Sequence, residues 1–509
     1  MTITNQETAT QTLTHFIGGE MIAGKSERFG KVYNPSTGEV TALCPLASRE
    51  EVNEAVEIAQ KAFPAWKNTS VAKRVEVIFN FRNLLVEKTD CLANIIGLEN
   101  GKTISDAKGE VLRGIEAVDF ALNAPHLLKG EYSINVGGKI NSYSIKQPLG
   151  VVAAISPFNF PVMVPLAMTM MAVACGNAVI LKPSERVPNS ALFISELWKK
   201  AGLPDGIWTV INGDKEAVDT LLANPKVHAI SFVGSTRVAE YVYHEGTRHN
   251  KRVAAFGGGK NHMVIMPDAD LDQAVTAFLG AAYGSASQRC MAISVAMPVG
   301  KGTAEAFVEK LKTRVEELKV GAYDDADADF GAVISQESKE TVIRYINESL
   351  SEGAQLCVDG RHPEINEKEK GYYLGATLLT GVTTEMKIYQ DEVFGPARIV
   401  VGVNSLDEAI QLINDHEYGN GVTIFTENGA AARRFTEQIE VGMVGVNVPI
   451  PIPVGYHNFG GWKNSRFGEG QMFGPDTVRF FTKTKTISER WNDTKDIVNK
   501  TEFSFPSNQ

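Results

Sequence analysis

Continuous apolar strands alternate with helical segments from Gly150 onward, and this alternation limits the possible folds more than any other feature of the sequence. It begins with the strand GVVAAIS at 150–156 and an apolar helix over 161–174, and it ends with the strand KRVAAF at 251–256. Strands that lack polar alternation are buried on both faces, as in a parallel sheet covered by helices on each side. A second alternating region over residues 263–446 predicts another α/β domain. Ligands of such sheets bind at the carboxyl ends of the strands, so we expect the informative residues directly after each strand.

Two segments fit neither α/β region. Residues 131–147 predict a hairpin that turns at a Gly-Gly pair, and residues 478–487 alternate between apolar and polar positions. A short strand pair of this kind is not expected to bury one face alone. We therefore expect residues 131–149 and 475–490 to form a small antiparallel β arm that pairs across subunits of a homodimer or homotetramer.

The composition excludes several classes of partner and site. A length of 509 residues suggests two or three domains, and a net charge of −10 argues against binding to nucleic acid or to an anionic membrane. The five cysteines have no metal-ligand spacing, none of the nine histidines fits a metal or relay pattern, and we expect no metal site. Residues 1–14 form a polar tail without a secretory or transit signal, and no apolar stretch is long enough to span a bilayer. The expected location is the cytoplasm.

Cys290 is a candidate nucleophile. It lies among small residues in the segment GSASQRCMAIS, directly after Arg289. A thiolate close to positive charge has a lowered pKa and attacks carbonyl carbon readily. The alternative is an inert cysteine of the core, which is the more common situation for an isolated cysteine.

Polar residues follow three of the predicted strands. Asn159 stands between two aromatic residues, where its amide could stabilise an oxyanion, although a turn asparagine is the simpler explanation. Lys182 and Glu185 could hold the hydroxyl groups of a ribose, or could lie in a solvated loop. Gly234 and Ser235 open a helix whose N–H groups could face a pyrophosphate, although such residues are also common helix caps.

Together these segments resemble the aldehyde dehydrogenase superfamily, with six motifs in the same order over about residues 15–490. The motifs are Ser156-Pro157-Phe158-Asn159-Phe160-Pro161, Lys182-Pro183-Ser184-Glu185, Gly234-Ser235-Thr236, Gly258-Gly259-Lys260, Ser287-Gln288-Arg289-Cys290 and Glu392-Val393-Phe394-Gly395-Pro396.

The resemblance implies a role for each of these positions. Cys290 would be the nucleophile and Asn159 the oxyanion donor, while Glu392 and Phe394 would contact the nicotinamide side of the cofactor. Lys182 and Glu185 would bind the adenosine ribose, and the carboxylate would repel a 2′-phosphate, so NAD is expected rather than NADP. Ser156, Phe158 and Arg186 would line the same cleft.

Phe256 is a departure from most hydrolytic members, which have a glutamate four residues before the lysine of the Gly-Gly-Lys segment. That glutamate acts as a general base for the water that cleaves the acyl enzyme, and its loss should slow hydrolysis on the order of 10²–10⁴-fold. A thiol acceptor needs less help because it is intrinsically nucleophilic. The departure therefore points to acyl transfer onto CoA, unless another carboxylate takes over the role.

Several segments are similar to those of the CoA-acylating methylmalonate-semialdehyde dehydrogenases: Gly259-Lys260-Asn261-His262, Gln288-Arg289-Cys290-Met291-Ala292, Gly109-Glu110-Val111-Leu112-Arg113-Gly114-Ile115-Glu116 and residues 447–453. The resemblance implies oxidation of malonate or methylmalonate semialdehyde with loss of carbon dioxide. Arg113 and Arg289 would then bind the substrate carboxylate, which suits bidentate arginine. Arg113 could equally be a helix arginine paired with Glu110 or Glu116.

The predicted fold is thus α/β, with a Rossmann-type parallel-sheet NAD-binding domain formed by residues 15–130 and 150–262 and a catalytic domain over residues 263–446. Two other functions stay open at this point. One is a hydrolytic aldehyde dehydrogenase that releases a free acid, and the other is a nucleotide-binding scaffold without catalytic activity.

Overall fold

The computed structural model describes residues 11–365 and 370–491. Its helices are α1 (Arg49–Asn68), α2 (Val71–Glu87), α3 (Thr89–Asn100), α4 (Ile104–Ala121), α5 (Ala124–Leu127), α6 (Met163–Cys175), α7 (Asn189–Ala201), α8 (Lys215–Ala223), α9 (Thr236–Arg248), α10 (Leu271–Tyr283), α11 (Lys301–Glu316), α12 (Gln336–Ser351), α13 (Lys387–Gln390), α14 (Leu406–Asp415), α15 (Gly429–Gln438) and α16 (Asp476–Phe481). Its strands are β1 (Gln11–Thr12), β2 (Thr14–Ile17), β3 (Glu20–Ala23), β4 (Phe29–Tyr33), β5 (Val40–Pro45), β6 (Tyr132–Ser133), β7 (Ile140–Pro148), β8 (Val151–Ile155), β9 (Ala178–Lys182), β10 (Trp208–Val210), β11 (Val227–Val233), β12 (Arg252–Phe256), β13 (Asn261–Ile265), β14 (Ile293–Pro298), β15 (Gln355–Val358), β16 (Thr377–Thr380), β17 (Ala397–Val400), β18 (Tyr418–Gly419), β19 (Gly421–Phe425), β20 (Met443–Val446), β21 (Trp462–Lys463), β22 (Arg466–Phe467) and β23 (Thr482–Arg490).

The largest sheet has eight strands in the order β22-β12-β11-β8-β9-β10-β2-β3. The five strands from β12 to β10 are parallel, and antiparallel strands close both edges. Their residues are almost all buried, which confirms the predicted parallel sheet covered on both faces. In the register of the sheet, Ile155 pairs with both Lys182 and Phe232, and Val233 pairs with Phe256. The carboxyl ends of these strands therefore form one edge.

A second sheet has seven strands in the order β15-β16-β17-β14-β13-β19-β20, parallel except for β15. The first sheet ends its strand β12 at Phe256, and the second begins β13 at Asn261, only a short glycine-rich link later. The carboxyl edge of the first sheet is therefore joined to the amino edge of the second. Cys290 precedes β14 and Glu392 precedes β17, so in this half of the protein these residues lie before strands and not after them.

A third sheet, β23-β7-β6, is antiparallel and separate from the other two. Strands β6 and β7 form the predicted hairpin, with Tyr132 opposite Tyr143. Strand β23 pairs with β7 along its whole length, from Thr482 opposite Pro148 to Arg490 opposite Ile140. This sheet contains the two segments that the sequence set apart.

Two expectations about local structure are wrong. Residues 478–481 were expected to be part of a strand, but they belong to helix α16, which packs against α6 with Val478 and Phe481 buried. Apolar residues at 478, 480 and 481 fit either period, and the contact with α6 decides for the helix. The polar tail was expected to reach about residue 14, yet Leu13 is buried and β1 pairs with β5. Residues 1–10 of that tail lie outside the described residues.

Two helices beside the first sheet show why their sequences are helical. Helix α1 begins with a capping box, in which Ser48 Oγ accepts a hydrogen bond from the Glu51 N–H and Glu51 Oε2 accepts one from the Ser48 N–H at 2.9 Å. Helix α6 is apolar on all sides because it is buried between the first sheet, α2 and α4.

Within the part of the chain that the structure describes, no helix combines the length and apolarity needed to cross a membrane.

Candidate active site

Cys290 lies at the end of a turn that adopts an unusual backbone conformation. Ser285, Ala286 and Ser287 have φ values of 53°, 49° and 63°, which are in the left-handed region although none is glycine. Such residues cost about 1–3 kcal/mol each and persist only where the surrounding structure fixes them. Here the Ser287 hydroxyl donates to the Ala282 carbonyl, and the Ser285 hydroxyl donates to Asp106. The turn leaves the Cys290 side chain partly exposed.

Two asparagine side chains bind the backbone directly after the Cys290 side chain. Nδ2 of Asn261 lies 2.9 Å from the Cys290 carbonyl oxygen, and Nδ2 of Asn420 lies 3.0 Å from the same oxygen. Both side chains therefore donate to one acceptor, which fixes the peptide plane that follows the cysteine. The sequence placed Asn261 in a family-like segment but predicted no contact for it, and it gave no signal for Asn420.

The expectation of a lowered pKa for Cys290 is wrong for this structure, although Arg289 itself acts in the lowering direction. The Arg289 guanidinium turns away toward Asp106, with Nη2 2.6 Å from Oδ1. Burial, with a smaller contribution from the Glu392 carboxylate, raises the pKa of the Cys290 thiol to about 12. Arg289 opposes this increase only slightly. The positive charge next to Cys290 in sequence is thus neutralised by a carboxylate from helix α4.

Asn159 lies next to the nucleophile segment, as expected for an oxyanion donor. Its Nδ2 donates to the carbonyl oxygen of Gln288 at 3.0 Å. Asn159 is buried, and an amide nitrogen carries two N–H groups. One N–H binds the loop of the nucleophile, so the other can donate to an oxygen bound near Cys290.

The backbone around Asn159 is held by a buried ion pair. Nζ of Lys102 lies 2.8 Å from Glu110 Oε2 and donates to the Asn159 carbonyl oxygen at 2.7 Å. Glu110 Oε1 accepts from the backbone N–H groups of Val162 and Met163 at 2.8 and 3.2 Å. The side chains of Lys102 and Glu110 are 1% and 0% exposed, so the pair is shielded from solvent. The middle of the loop between β8 and α6 and its end at α6 are therefore anchored to the same pair of charges.

The expected ribose-binding residues lie together at the carboxyl edge of the first sheet. Lys182 Nζ is 3.3 Å from Glu185 Oε2, and the backbone N–H of Ser156 donates to the Lys182 carbonyl oxygen. Arg186 points elsewhere, because its Nη1 donates to Ser335 Oγ at 2.9 Å at the start of α12. The structure therefore brings Ser156, Lys182 and Glu185 together and separates the Arg186 side chain from them.

The turn before α9 differs in one detail from the expectation. The Gly234 N–H is already used, since it donates to the Phe256 carbonyl oxygen at 3.1 Å. Ser235 is the N-cap residue, and its side chain makes no capping hydrogen bond. The N–H groups that could face a pyrophosphate are thus those of Ser235 and of the first turn of α9, not that of Gly234.

Glu392 and Phe394 lie between the two sheets. Glu392 Oε1 accepts a hydrogen bond from the Gly259 N–H at 3.2 Å, and burial raises the pKa of this carboxyl to about 7. Phe394, with a φ of 54°, places its ring edge-on to Phe158 with 5.9 Å between ring centroids. The motif that was expected to contact the nicotinamide side, Glu392 with Phe394, is therefore in contact with Gly259 and with Phe158.

An apolar cavity of about 240 Å³ opens beside Cys290. Both candidate arginines line it, Arg289 on the nucleophile turn and Arg113 on α4. Arg113 is paired with Glu116 at 2.6 Å and donates to the Pro453 carbonyl oxygen at 3.1 Å. The other side chains of the wall are mostly aromatic or aliphatic: Phe160, Met163, Val164, Ile450, Ile452, Phe459, Met472 and Phe473.

Lys102, Asp106 and Glu110 are the charged residues whose roles the sequence analysis missed. Asp106 and Glu110 are four residues apart on α4 and Arg113 is three further on, so all three lie on one face of that helix. A charged row on an otherwise apolar helix face is a signal that could have identified them. Among the residues that the structure describes, no group of three or more histidine, cysteine, aspartate or glutamate side chains could hold a metal ion.

We predict a steep pH dependence for alkylation of Cys290 in the cofactor-free protein. Because burial raises the pKa of the thiol to about 12, only the small thiolate fraction reacts, and the rate should rise roughly tenfold per pH unit up to at least pH ~9.5. Iodoacetamide labelling followed by mass spectrometry of the Cys290 peptide measures this rate. The exposed Cys91 serves as an internal control for reagent quality. A plateau below pH ~8 would contradict the prediction, since it would require a thiol pKa several units lower.

Comparison with known proteins agrees with this arrangement. The sequence model of the aldehyde dehydrogenase family matches residues 21–487. A malonate-semialdehyde dehydrogenase of Pseudomonas aeruginosa is 54% identical and covers 97% of this chain and 99% of the relative. The corresponding protein of Halalkalibacterium halodurans is 46% identical over 94% of this chain and 98% of its own length.

Solved structures give the same result. The crystal structure of methylmalonate-semialdehyde dehydrogenase from Oceanimonas doudoroffii has a TM-score of 0.94 at 51% identity, covering 96% of this chain and 99% of that one. A putative methylmalonate-semialdehyde dehydrogenase from Sinorhizobium meliloti 1021, complexed with NAD, has a TM-score of 0.95 at 48% identity, covering 96% of this chain and 100% of that one. On these matches and on the geometry of its site, the chain belongs to the aldehyde dehydrogenase family.

Proposed function

We propose that this enzyme oxidises malonate or methylmalonate semialdehyde with NAD, forms a thioacyl enzyme on Cys290, and transfers the acyl group to CoA. Decarboxylation would give acetyl-CoA or propanoyl-CoA. The observation that carries the proposal is the cavity of about 240 Å³, a largely apolar space lined by the nucleophile and by two arginines, each of which is paired with a carboxylate of α4. A small aldehyde with one carboxylate matches that combination. Relatives with the names malonate- and methylmalonate-semialdehyde dehydrogenase support the same substrate class.

In the first half of the reaction, the Cys290 thiolate attacks the aldehyde carbon and the carbonyl oxygen becomes negative. The second N–H of the Asn159 amide and the backbone N–H of Cys290 would donate to this oxygen. Both donors are preorganised, because Lys102 holds the Asn159 backbone and the Ala292 N–H holds the Arg289 carbonyl, which shares a peptide plane with the Cys290 N–H. The side chains therefore need little rearrangement as charge develops.

The residues at the edge of the first sheet fit a dinucleotide. Ser156 Oγ is buried and has no hydrogen-bond partner among the described residues, which is unfavourable unless a ligand supplies one. Lys182 and Glu185 lie at hydrogen-bonding distance from each other and could hold ribose hydroxyl groups, and the Glu185 carboxylate disfavours a 2′-phosphate. When bound there, NAD supplies the acceptor for the hydrogen that leaves the substrate carbon.

The second half of the reaction depends on what surrounds the thioester. Phe256 is buried and its ring packs edge-on against Phe459, with 6.4 Å between centroids. The position where hydrolytic relatives have a general base is thus part of an aromatic contact. Position 256 therefore supplies no carboxylate to accept a proton from water, whereas the thiol of CoA ionises readily enough to attack without one.

A hydrolytic reaction is the second candidate, and one observation favours it. Burial raises the pKa of Glu392 to about 7, which suits a general base near neutral pH, and this carboxylate lies close enough to Cys290 to raise the pKa of its thiol. Its Oε1, however, accepts a hydrogen bond from Gly259, which holds the side chain toward the glycine-rich link. We therefore favour transfer to CoA.

The deciding measurement is NADH formation from malonate semialdehyde with and without CoA. Steady-state turnover should rise by roughly 10²-fold or more when CoA is added, because water is a poor acceptor without a general base. A single turnover without CoA should still produce about one NADH per active site, since thioester formation precedes acyl transfer. Turnover that is indifferent to CoA would overturn the CoA-acylating reaction and favour hydrolysis. Cys290→Ala should abolish both phases, and unchanged activity in that variant would favour a scaffold without catalysis.

We predict that Lys102→Met lowers both stability and kcat. Removing one partner leaves Glu110 as an uncompensated buried charge, which costs about 3–5 kcal/mol. It also releases the Asn159 carbonyl, and a displacement of the oxyanion donor by ~1 Å should lower kcat by roughly 10- to 100-fold. Thermal unfolding and steady-state kinetics measure the two effects.

The double variant Lys102→Met/Glu110→Gln separates these two effects. It should recover much of the lost stability, because no unpaired charge remains, yet its kcat should stay low because Asn159 still lacks its donor. Recovery of kcat in parallel with stability would contradict the positioning role of Lys102.

We also propose a function for each domain of the chain. Residues 15–130 and 150–262 would bind NAD, residues 263–446 would carry the nucleophile, and residues 131–149 with 475–490 would form the assembly arm.

The five cysteines are all free, which suits a reducing compartment such as the cytoplasm.

The assembly proposal rests on the third sheet. Strand β23 is paired with β7 on one side, and most of its residues are exposed. A strand edge of this kind is a template for pairing with another chain. Sedimentation should therefore show a dimer or tetramer at micromolar concentration, and the double variant Thr484→Pro/Thr486→Pro should shift the population toward monomer. A monomer in the unmodified protein would rule out the arm as an assembly device.

A further inference from the structure

Asp106 and Ser285 occupy one edge of the Arg289 guanidinium group. Nη2 of Arg289 lies 2.6 Å from Asp106 Oδ1, and Nε donates to Ser285 Oγ at 3.1 Å. The Ser285 hydroxyl in turn donates to Asp106 Oδ2. The three side chains thus form a closed ring of hydrogen bonds along the Nε–Nη2 edge of the arginine.

The opposite edge of the guanidinium, formed by Nη1 and Nη2, is held more weakly. Nη1 lies 3.5 Å from the Gly280 carbonyl oxygen, which is the limit for a hydrogen bond. A guanidinium has five N–H donors in one plane, and its Nη1–Nη2 edge matches the two oxygens of a carboxylate. Arg289 lines the same cavity as Cys290, so this edge is the one suited to a bound substrate.

The pair is shielded enough to fix an orientation. The side chains of Asp106 and Arg289 are each 20% exposed, in contrast to Glu116, the partner of Arg113, which is 44% exposed. Space for the guanidinium depends on Gly284, because a side-chain carbon there would lie 2.5 Å from Nη1 of Arg289. The arginine is therefore confined between a glycine and the Asp106 carboxylate.

We infer that Asp106 is a positioning residue for substrate selection: it binds the Nε–Nη2 edge of Arg289 and thereby aims the Nη1–Nη2 edge at the substrate carboxylate. This inference rests on the proposed function, since it requires a carboxylated aldehyde. Asp106 itself would not touch the reacting atoms. Its effect on substrate selection should therefore appear in recognition of the carboxylate, as a change that a substrate without a carboxylate does not share.

The test compares two aldehydes in two variants. Asp106→Ala removes the acceptor for Arg289 and should raise KM for malonate semialdehyde about tenfold or more, the size expected for loss of an oriented charged hydrogen bond. KM for propanal, which has no carboxylate, should change less than ~3-fold, and any decrease in kcat caused by loosening of the Ser285 turn should be the same for both aldehydes. Asp106→Asn keeps an oxygen that accepts from Nη2, so it should restore KM for malonate semialdehyde to within ~3-fold of the unmodified enzyme.

Asp90 of α3 offers a control carboxylate, because it also pairs with a basic residue of α4. Its side chain is 79% exposed and pairs with Lys108 of α4 at 2.8 Å, so Asp90→Ala removes an ion pair of α4 without reaching the cavity. This variant should leave both KM values unchanged. Equal increases of KM for both aldehydes in Asp106→Ala, or an Asp106→Asn variant no better than Asp106→Ala, would overturn the positioning role.

Failure of the proposed function gives a different result. The unmodified enzyme would then show no preference for malonate semialdehyde over propanal, and the role of Asp106 would fall with the substrate class. If the preference is present and Asp106→Ala leaves it intact, only the inference about Asp106 fails.

Discussion

The ion pair between Lys102 and Glu110 is the interaction on which the geometry of the site depends. Two buried charges are costly to remove from water unless every donor and acceptor finds a partner. Here Glu110 accepts three hydrogen bonds, one from Lys102 and two from the backbone at the start of α6. Lys102 uses its remaining donors on the Asn159 carbonyl and lies over the Phe160 ring at 4.3 Å. The cost of burying the pair is thus offset by fixing the loop that carries Asn159.

The same helix also fixes the nucleophile. Asp106 lies one turn before Glu110 on α4 and binds the turn that leads to Cys290. The Lys102 and Arg289 charges hold the pKa of Asp106 below its usual value against the effect of burial. The Asn159 amide and the Cys290 thiol are therefore both positioned by contacts with one helix, α4. This arrangement keeps the loop of Asn159 and the turn before Cys290, which belong to different sheets, at fixed positions relative to each other.

Sequence patterns predicted the parts of the protein that depend on local information. The strands β8, β9, β11 and β12 were predictable because each is a continuous apolar run between turns, and the motif residues at their ends followed from that. Residues 478–481 were not, since their apolar spacing fits both a strand and a helix and only contact with α6 decides. The direction in which the Arg289 side chain points could not be predicted from the sequence either. Adjacency to Cys290 suggested a lowered thiol pKa, but the arginine binds Asp106, which is 183 positions away in sequence.

The charges near Cys290 explain why this site can function without a carboxylate at position 256. Burial and Glu392 already raise the pKa of the thiol, so a second carboxylate near it would disfavour the thiolate further. Phe256 instead packs against Phe459, which itself lines the cavity, and keeps that wall apolar. An apolar wall disfavours ordered water beside the thioester, and the same residue therefore preserves the nucleophile and limits hydrolysis. Acyl transfer to a thiol is the reaction that remains favourable in such surroundings, because the incoming nucleophile brings its own reactivity and needs no base from the protein.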